Sequence, residues 1–238
     1  MKKLLLLTAM VCLLMTGCGE SKTDVQEPEV ETPGSNVAEQ ETPTSEEPAP
    51  EAPAAPGAVI YPLADTTMDN LTDAILAVSL EEGDAYVDDT GKMQMDVKIY
   101  TYDLYDAAGI AGLQVGDVIV THAGEQEVTA FGRNEAGYVC INGGLDGGGF
   151  ELAPEGGGIF SEIGYSDMKN WYEVGEATIR VSTDFLGHDN ADPDGGEVII
   201  YPGDFLVGAV TNYDFTPHNT TIRVEGGQIV ELNRRYVP

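Results

Sequence analysis

Lys92-Met93-Gln94-Met95-Asp96-Val97-Lys98-Ile99 decides the fold. The apolar residues Met93, Met95, Val97 and Ile99 occupy every second place, with Lys92, Gln94, Asp96 and Lys98 between them. Successive side chains of a strand point to opposite faces, so the pattern predicts a half-buried strand. Tyr100 and Tyr102 extend its polar face. Just upstream, Asp89-Thr90-Gly91 is turn chemistry, which makes residues 85–89 the other arm of a hairpin.

Outward from this stretch, strands are predicted at 118–121, 127–131, 138–142, 177–183, 197–201, 205–212, 220–225 and 228–233. Gly226-Gly227 is a two-residue turn that joins the last two. Many short strands with glycine-rich turns predict a mainly β domain, an antiparallel sandwich or partly open barrel with one or two short helices. Thr66 to Leu80 places Met68, Leu71, Ile75 and Val78 at helical spacing after a capping candidate at Asp65. Ile75–Leu80 reads equally well as a strand. Asp106–Leu113 reads as a turn or two of helix.

Composition divides the 238 residues into three parts. Lys2 and Lys3 precede an almost continuous apolar run from Leu4 to Met15, followed by Thr16-Gly17-Cys18. A charged start, a short apolar core and small residues form an export signal, too short to span a bilayer. With Met15-Thr16-Gly17-Cys18 at its end, the segment resembles a bacterial lipoprotein signal. The resemblance implies cleavage of residues 1–17, lipid on Cys18, and a place on the outer face of the cell membrane. Residues 18–57 are rich in Glu, Pro, Thr and Ser and carry no aromatic residue. Such a segment buries too little apolar surface to offset its chain entropy, so a disordered acidic tether is expected. Residues 58–238 have the length and composition of one extracellular domain with a core of its own.

That domain carries 8 Lys and Arg against 31 Asp and Glu, a formal net charge of −23. The sign opposes nucleic acid and anionic headgroups and favours cations or basic partners. After cleavage Cys140 is the only thiol besides Cys18, so the domain has no internal disulfide. Its apolar neighbours Val139 and Ile141 point to a buried structural cysteine.

Asp189-Asn190-Ala191-Asp192-Pro193-Asp194-Gly195-Gly196-Glu197 is the best local candidate for a site. Asn190, Asp192 and Asp194 alternate before a glycine, and with Glu197 they offer oxygen ligands to Ca2+. The spacing resembles the first half of a helix–loop–helix calcium loop, although Tyr201 stands where that pattern has glutamate. A solvated acidic turn explains the same residues. Ala111-Gly112-Leu113-Gln114-Val115-Gly116-Asp117-Val118-Ile119 looks like the short turn-and-strand segment of PDZ domains, and an ordinary glycine turn explains it as well. Asp89-Thr90-Gly91 matches the aspartic-protease triplet, but its charged flanks favour a turn. The glycine clusters at 143–144, 147–149 and 156–158 lack a following Gly-Lys-Ser/Thr and read as loops. His122, His188 and His218 form no His-Glu-x-x-His pair. Tyr100, Tyr102, Trp171 and Tyr172 are candidates for stacking on a sugar or a protein partner.

The sequence thus points to a lipid-anchored binding or interaction module, non-catalytic, with a cell-surface glycan or protein as partner and no nucleic acid. A calcium-stabilised domain and an extracellular hydrolase using paired carboxylates are the alternatives. No residue is marked as catalytic.

Overall fold

A computed structural model describes residues 57–165 and 168–237. The signal, the lipid site Cys18 and nearly all of the tether lie outside the described residues. Within them the chain is mainly β, with two short helices, α1 (Ala107–Ala111) and α2 (Pro202–Leu206).

A seven-stranded sheet dominates. It contains β2 (Ala74–Ser79), β3 (Ala85–Val87), β4 (Met93–Thr101), β12 (Tyr172–Asn190), β13 (Val198–Ile200), β14 (Thr220–Glu225) and β15 (Gln228–Arg235). Their order is β13-β12-β15-β14-β2-β4-β3, and β12 also pairs with β4. The 19-residue β12 therefore has two partners. Its first half, Tyr172 to Arg180, runs antiparallel to β4, and from Arg180 onward it runs parallel to β15. The β12–β4 pairing, added to the linear order, draws the sheet into a partly closed barrel. The parallel β12–β15 pair departs from the antiparallel expectation. Parallel neighbours need a long crossover, and residues 191–227, which include β13, α2 and β14, supply it.

Met95, Val97 and Ile99 of β4 point into the barrel with Val78, Ile179, Phe185, Phe215, Ile222, Ile229 and Leu232, all buried. The alternation read from the sequence is the alternation of the fold. Asp88 to Lys92 is the turn between β3 and β4, with Gly91 at φ 77. The Asp88 carboxylate accepts hydrogen bonds from the Lys92 and Thr90 amides (2.9 Å each), the Thr90 hydroxyl (2.7 Å) and the Gln94 side-chain amide (2.7 Å). Led by the Lys92 amide, these donors hold its carboxyl well below the usual carboxylate range. The stability it contributes is complete above about pH 4 and is lost as pH falls toward the depressed value. Asp88→Asn is therefore expected to melt below the native chain at pH 7, with the gap closing on acidification; a gap independent of pH would remove this role.

The remaining strands form two smaller sheets around a second core. One has three strands, β1 (Val59–Ile60), β6 (Val118–Thr121) and β7 (Gly124–Glu127), with β1 parallel to β6. The other runs β5-β11-β10-β9-β8, from β5 (Leu104–Asp106), β8 (Phe131–Arg133), β9 (Val139–Ile141), β10 (Phe150–Gly156) and β11 (Ile159–Ile163). Tyr105, Ile119, Ile141, Leu152 and Phe160 pack between them with Ile110 of α1. The PDZ-like letters have a local cause: Gly116 sits at φ 95, and the buried Asp117 accepts from the Ala58 amide (2.8 Å) and the Gln114 amide (2.7 Å).

Three local expectations are corrected. Residues 66–80 are not a helix: the Asp65 carboxylate accepts from Thr67 in a tight turn, and Ala74–Ser79 is β2. Residues 205–212 are not a strand: Pro202 opens α2, whose Asp204 carboxylate accepts from the Tyr201 amide at 2.7 Å. The span 127–131 straddles the break between β7 and β8. Cys140 is only partly buried, since it faces away from the core residues Val139 and Ile141. Desolvation, followed by the nearby Glu151, pushes its thiol pKa up.

Candidate functional site

β13 ends the seven-stranded sheet, and all three of its residues line a cleft of about 720 Å³. Ala209, Val210, Thr211 and Asn212 form the facing wall, and Asp189, Asp192 and Asp204 place carboxylates around it. Val198 in the lining is exposed, as are Tyr201, Leu206 and Val207, which neighbour lining residues along the chain, Val207 to 77%. Among the described residues Arg234 is the one cationic side chain in the lining, and it is buried. Its guanidinium grips both oxygens of Asp189, through Nε at 2.8 Å and through the second fork nitrogen, and donates to the Asn212 carbonyl at 2.7 Å. It also lies 4.4 Å over the Phe215 ring. The positive charge is thus spent inside the protein, and the cleft keeps its acidic character.

Of the calcium-loop candidates Asp192 lines this cleft, and the acids of the loop do not converge. Asp192 Oδ1 accepts from the Asp194 amide at 3.0 Å, and Glu197 Oε1 pairs with His188 Nδ1 at 3.0 Å. Asn190, exposed, ends β12. Among the described residues, no three acid or histidine ligand atoms of the loop lie within 4.8 Å of one another. Side-chain oxygens that cap amides two residues on are the ordinary chemistry of an acidic turn.

The four aromatic candidates divide. Tyr100 bonds Ser79 through its hydroxyl (3.1 Å). Tyr102 and Trp171 meet edge to face at 4.7 Å, with Lys169 Nζ 5.0 Å over the Tyr102 ring. Tyr172 stacks on His122 at 4.4 Å and donates its hydroxyl to Asp103 Oδ1 at 3.0 Å. All four rings are half-buried against protein groups; the strongly exposed tyrosines are Tyr61, Tyr165, Tyr201 and Tyr236.

Tyr172 leads to a polar centre that the sequence did not single out. Asp103, between β4 and β5, and Glu162, in β11, are both buried acids, 3% and 5% exposed. The Glu162 amide donates to the Asp103 carbonyl, which places the two side by side. His122 follows β6; its amide donates to Asp103 Oδ2 at 2.6 Å, and its Nδ1 lies 3.4 Å from the same oxygen. Asn170 donates to Glu162 Oε1 at 2.7 Å, while Glu162 Oε2 is buried with no partner among the described residues. Desolvation raises the Glu162 pKa against the lowering effect of Asn170. The same burial, with Asp103 adding to it, raises the phenol pKa values of Tyr105 and Tyr172.

Beside this centre, Lys169 Nζ donates to Ser161 Oγ at 2.8 Å and pairs with Glu155. A serine–lysine pair suits nucleophilic catalysis, but Ser161 has no exposed surface. Two sequence signals could have pointed to the centre: Ser161-Glu162 interrupts the apolar run Ile159 to Ile163, and Asp103 sits between Tyr102 and Leu104, just before the core residue Tyr105. No family model, curated protein or solved structure matches the chain.

Proposed function

We propose that the protein is a lipid-anchored, extracytoplasmic binding module that takes a basic segment of a partner protein into the cleft beside β13. The observation that carries the reading is the combination in that cleft of apolar walls, uncompensated carboxylates and exposed flanking Val198, Leu206 and Val207. Its volume lies within the roughly 300–1,000 Å³ common for ligand sites. The domain charge of −23 adds long-range attraction for a cationic partner. Asp189 is neutralised by Arg234, so Asp192 and Asp204 carry the recognition, and Leu206 and Val207 supply apolar contact.

Binding is tested with fluorescent peptides that interleave Lys or Arg with apolar residues. Affinity is expected to fall as salt rises and to drop at least tenfold in the Leu206→Glu/Val207→Glu variant, while Tyr165→Ala leaves it unchanged. Equal binding of a scrambled acidic peptide would overturn the cleft assignment. The anchor is tested separately: Cys18→Ala is expected to move the protein from the membrane fraction to the medium, because two acyl chains hold a protein where none does not. Retention on the membrane would refute lipidation.

A further inference from the structure

Independently of the cleft, we propose that Asp103, His122 and Glu162 bind one divalent transition-metal ion of the zinc class. Each offers one ligand atom, and these atoms all lie within 4.8 Å of one another. Small side-chain rotations bring such a set onto an ion whose bonds are about 2.0–2.2 Å. Glu162 Oε2 is the second, separate sign. It is a buried carboxylate oxygen without a partner among the described residues, and a polar atom in that state is costly unless something binds it. Asn170 holds the other oxygen, so the free one is fixed in place.

The outer contacts match what orients metal ligands elsewhere. Tyr172 donates to Asp103 Oδ1 and stacks flat on the His122 ring, holding two of the three ligands through one side chain. One imidazole nitrogen with two carboxylate oxygens suits zinc and its neighbours; calcium prefers six to eight oxygens and magnesium an octahedral oxygen shell. His122 is the exposed member and gives the ion its route from solvent. An ion here fastens together three sheets, since Asp103 joins β4 to β5, His122 follows β6, and Glu162 lies in β11.

The full-length, untagged chain in detergent, stripped with chelator and dialysed, is titrated with zinc chloride. One equivalent is expected by elemental analysis, with the melting midpoint raised about 5 °C or more at a hundredfold excess over Kd. Glu162→Gln, which keeps side-chain volume, and His122→Asn, at an exposed position, are each expected to weaken zinc binding at least tenfold. Tyr172→Phe is expected to weaken it roughly tenfold with stoichiometry unchanged, and Asp192→Asn/Asp194→Asn to leave it unaltered. Less than half an equivalent in the native chain, native affinity in His122→Asn, or a larger midpoint rise with calcium than with zinc would overturn the assignment.

Discussion

Arg234→Ala is expected to unfold the domain at a markedly lower temperature. Among the described residues the guanidinium is the only cationic partner of Asp189, whose side chain is 14% exposed, and it also serves the Asn212 carbonyl and covers Phe215. Removing one member of such a buried pair leaves the other charge desolvated and costs about 3–5 kcal/mol. For a domain of this size that is a fall in Tm of ~10 °C. Arg234→Lys should recover little, because an ammonium does not reproduce the two-pronged grip. Paired replacement with apolar residues, Arg234→Met/Asp189→Leu, should recover much of the loss, since no charge is then stranded. Denaturant melts of the native chain and these three variants settle it, and a loss below about 1 kcal/mol in Arg234→Ala would mean that water screens the pair. Peptide binding should fail in Arg234→Ala below its melting range, because the cleft wall at Asn212 loses its support.

Gly149→Ala is expected to be the second most damaging change, and Gly132→Ala a nearly silent control. A Cβ on Gly149 overlaps the Ile141 carbonyl oxygen and lies 2.9 Å from that of Asn142. Both are backbone atoms at the β9–β10 junction, where Phe150 pairs with Ile141, so relief requires the hairpin to shift. Overpacking of this kind costs about 1–3 kcal/mol, and more where rigid backbone is the obstacle. At Gly132 a Cβ meets nothing within 4 Å and the backbone is not left-handed. Equal Tm values for the two variants would show that the β9–β10 junction yields freely.

β4, β6 and β14 were legible in the sequence because one face of each is buried and the other is not. The hairpin of β10 and β11 was not: Phe160, Ser161, Glu162 and Ile163 are buried without alternation, so periodicity carries no signal there. Its turn, Gly156-Gly157-Gly158, was visible only as loop glycines, and all three have positive φ. Phe205-Leu206-Val207 misled for the opposite reason. A short apolar run fits helix and strand alike, and Pro202 with Asp204 decides the matter. The acidic loop was legible as turn chemistry, but its proximity to Arg234 depends on the parallel register of β12 and β15. Asp103, His122 and Glu162 meet only through the docking of three sheets, so no spacing rule finds them.

The two partnerships of β12 have a dynamic consequence. Its ladder with β15 breaks between Val181 and Leu186, so Ser182 to Phe185 lie between the antiparallel half and the main run of the parallel half. Phe185 is pinned in the core, while Thr183 and Asp184 face solvent. Local opening is cheapest where few hydrogen bonds and few apolar contacts resist it. Amide hydrogen exchange along this one strand should therefore show two slow blocks and a fast seam at 182–184. The barrel would unclasp there, freeing the end that carries the acidic loop while the end at Tyr172 stays fastened.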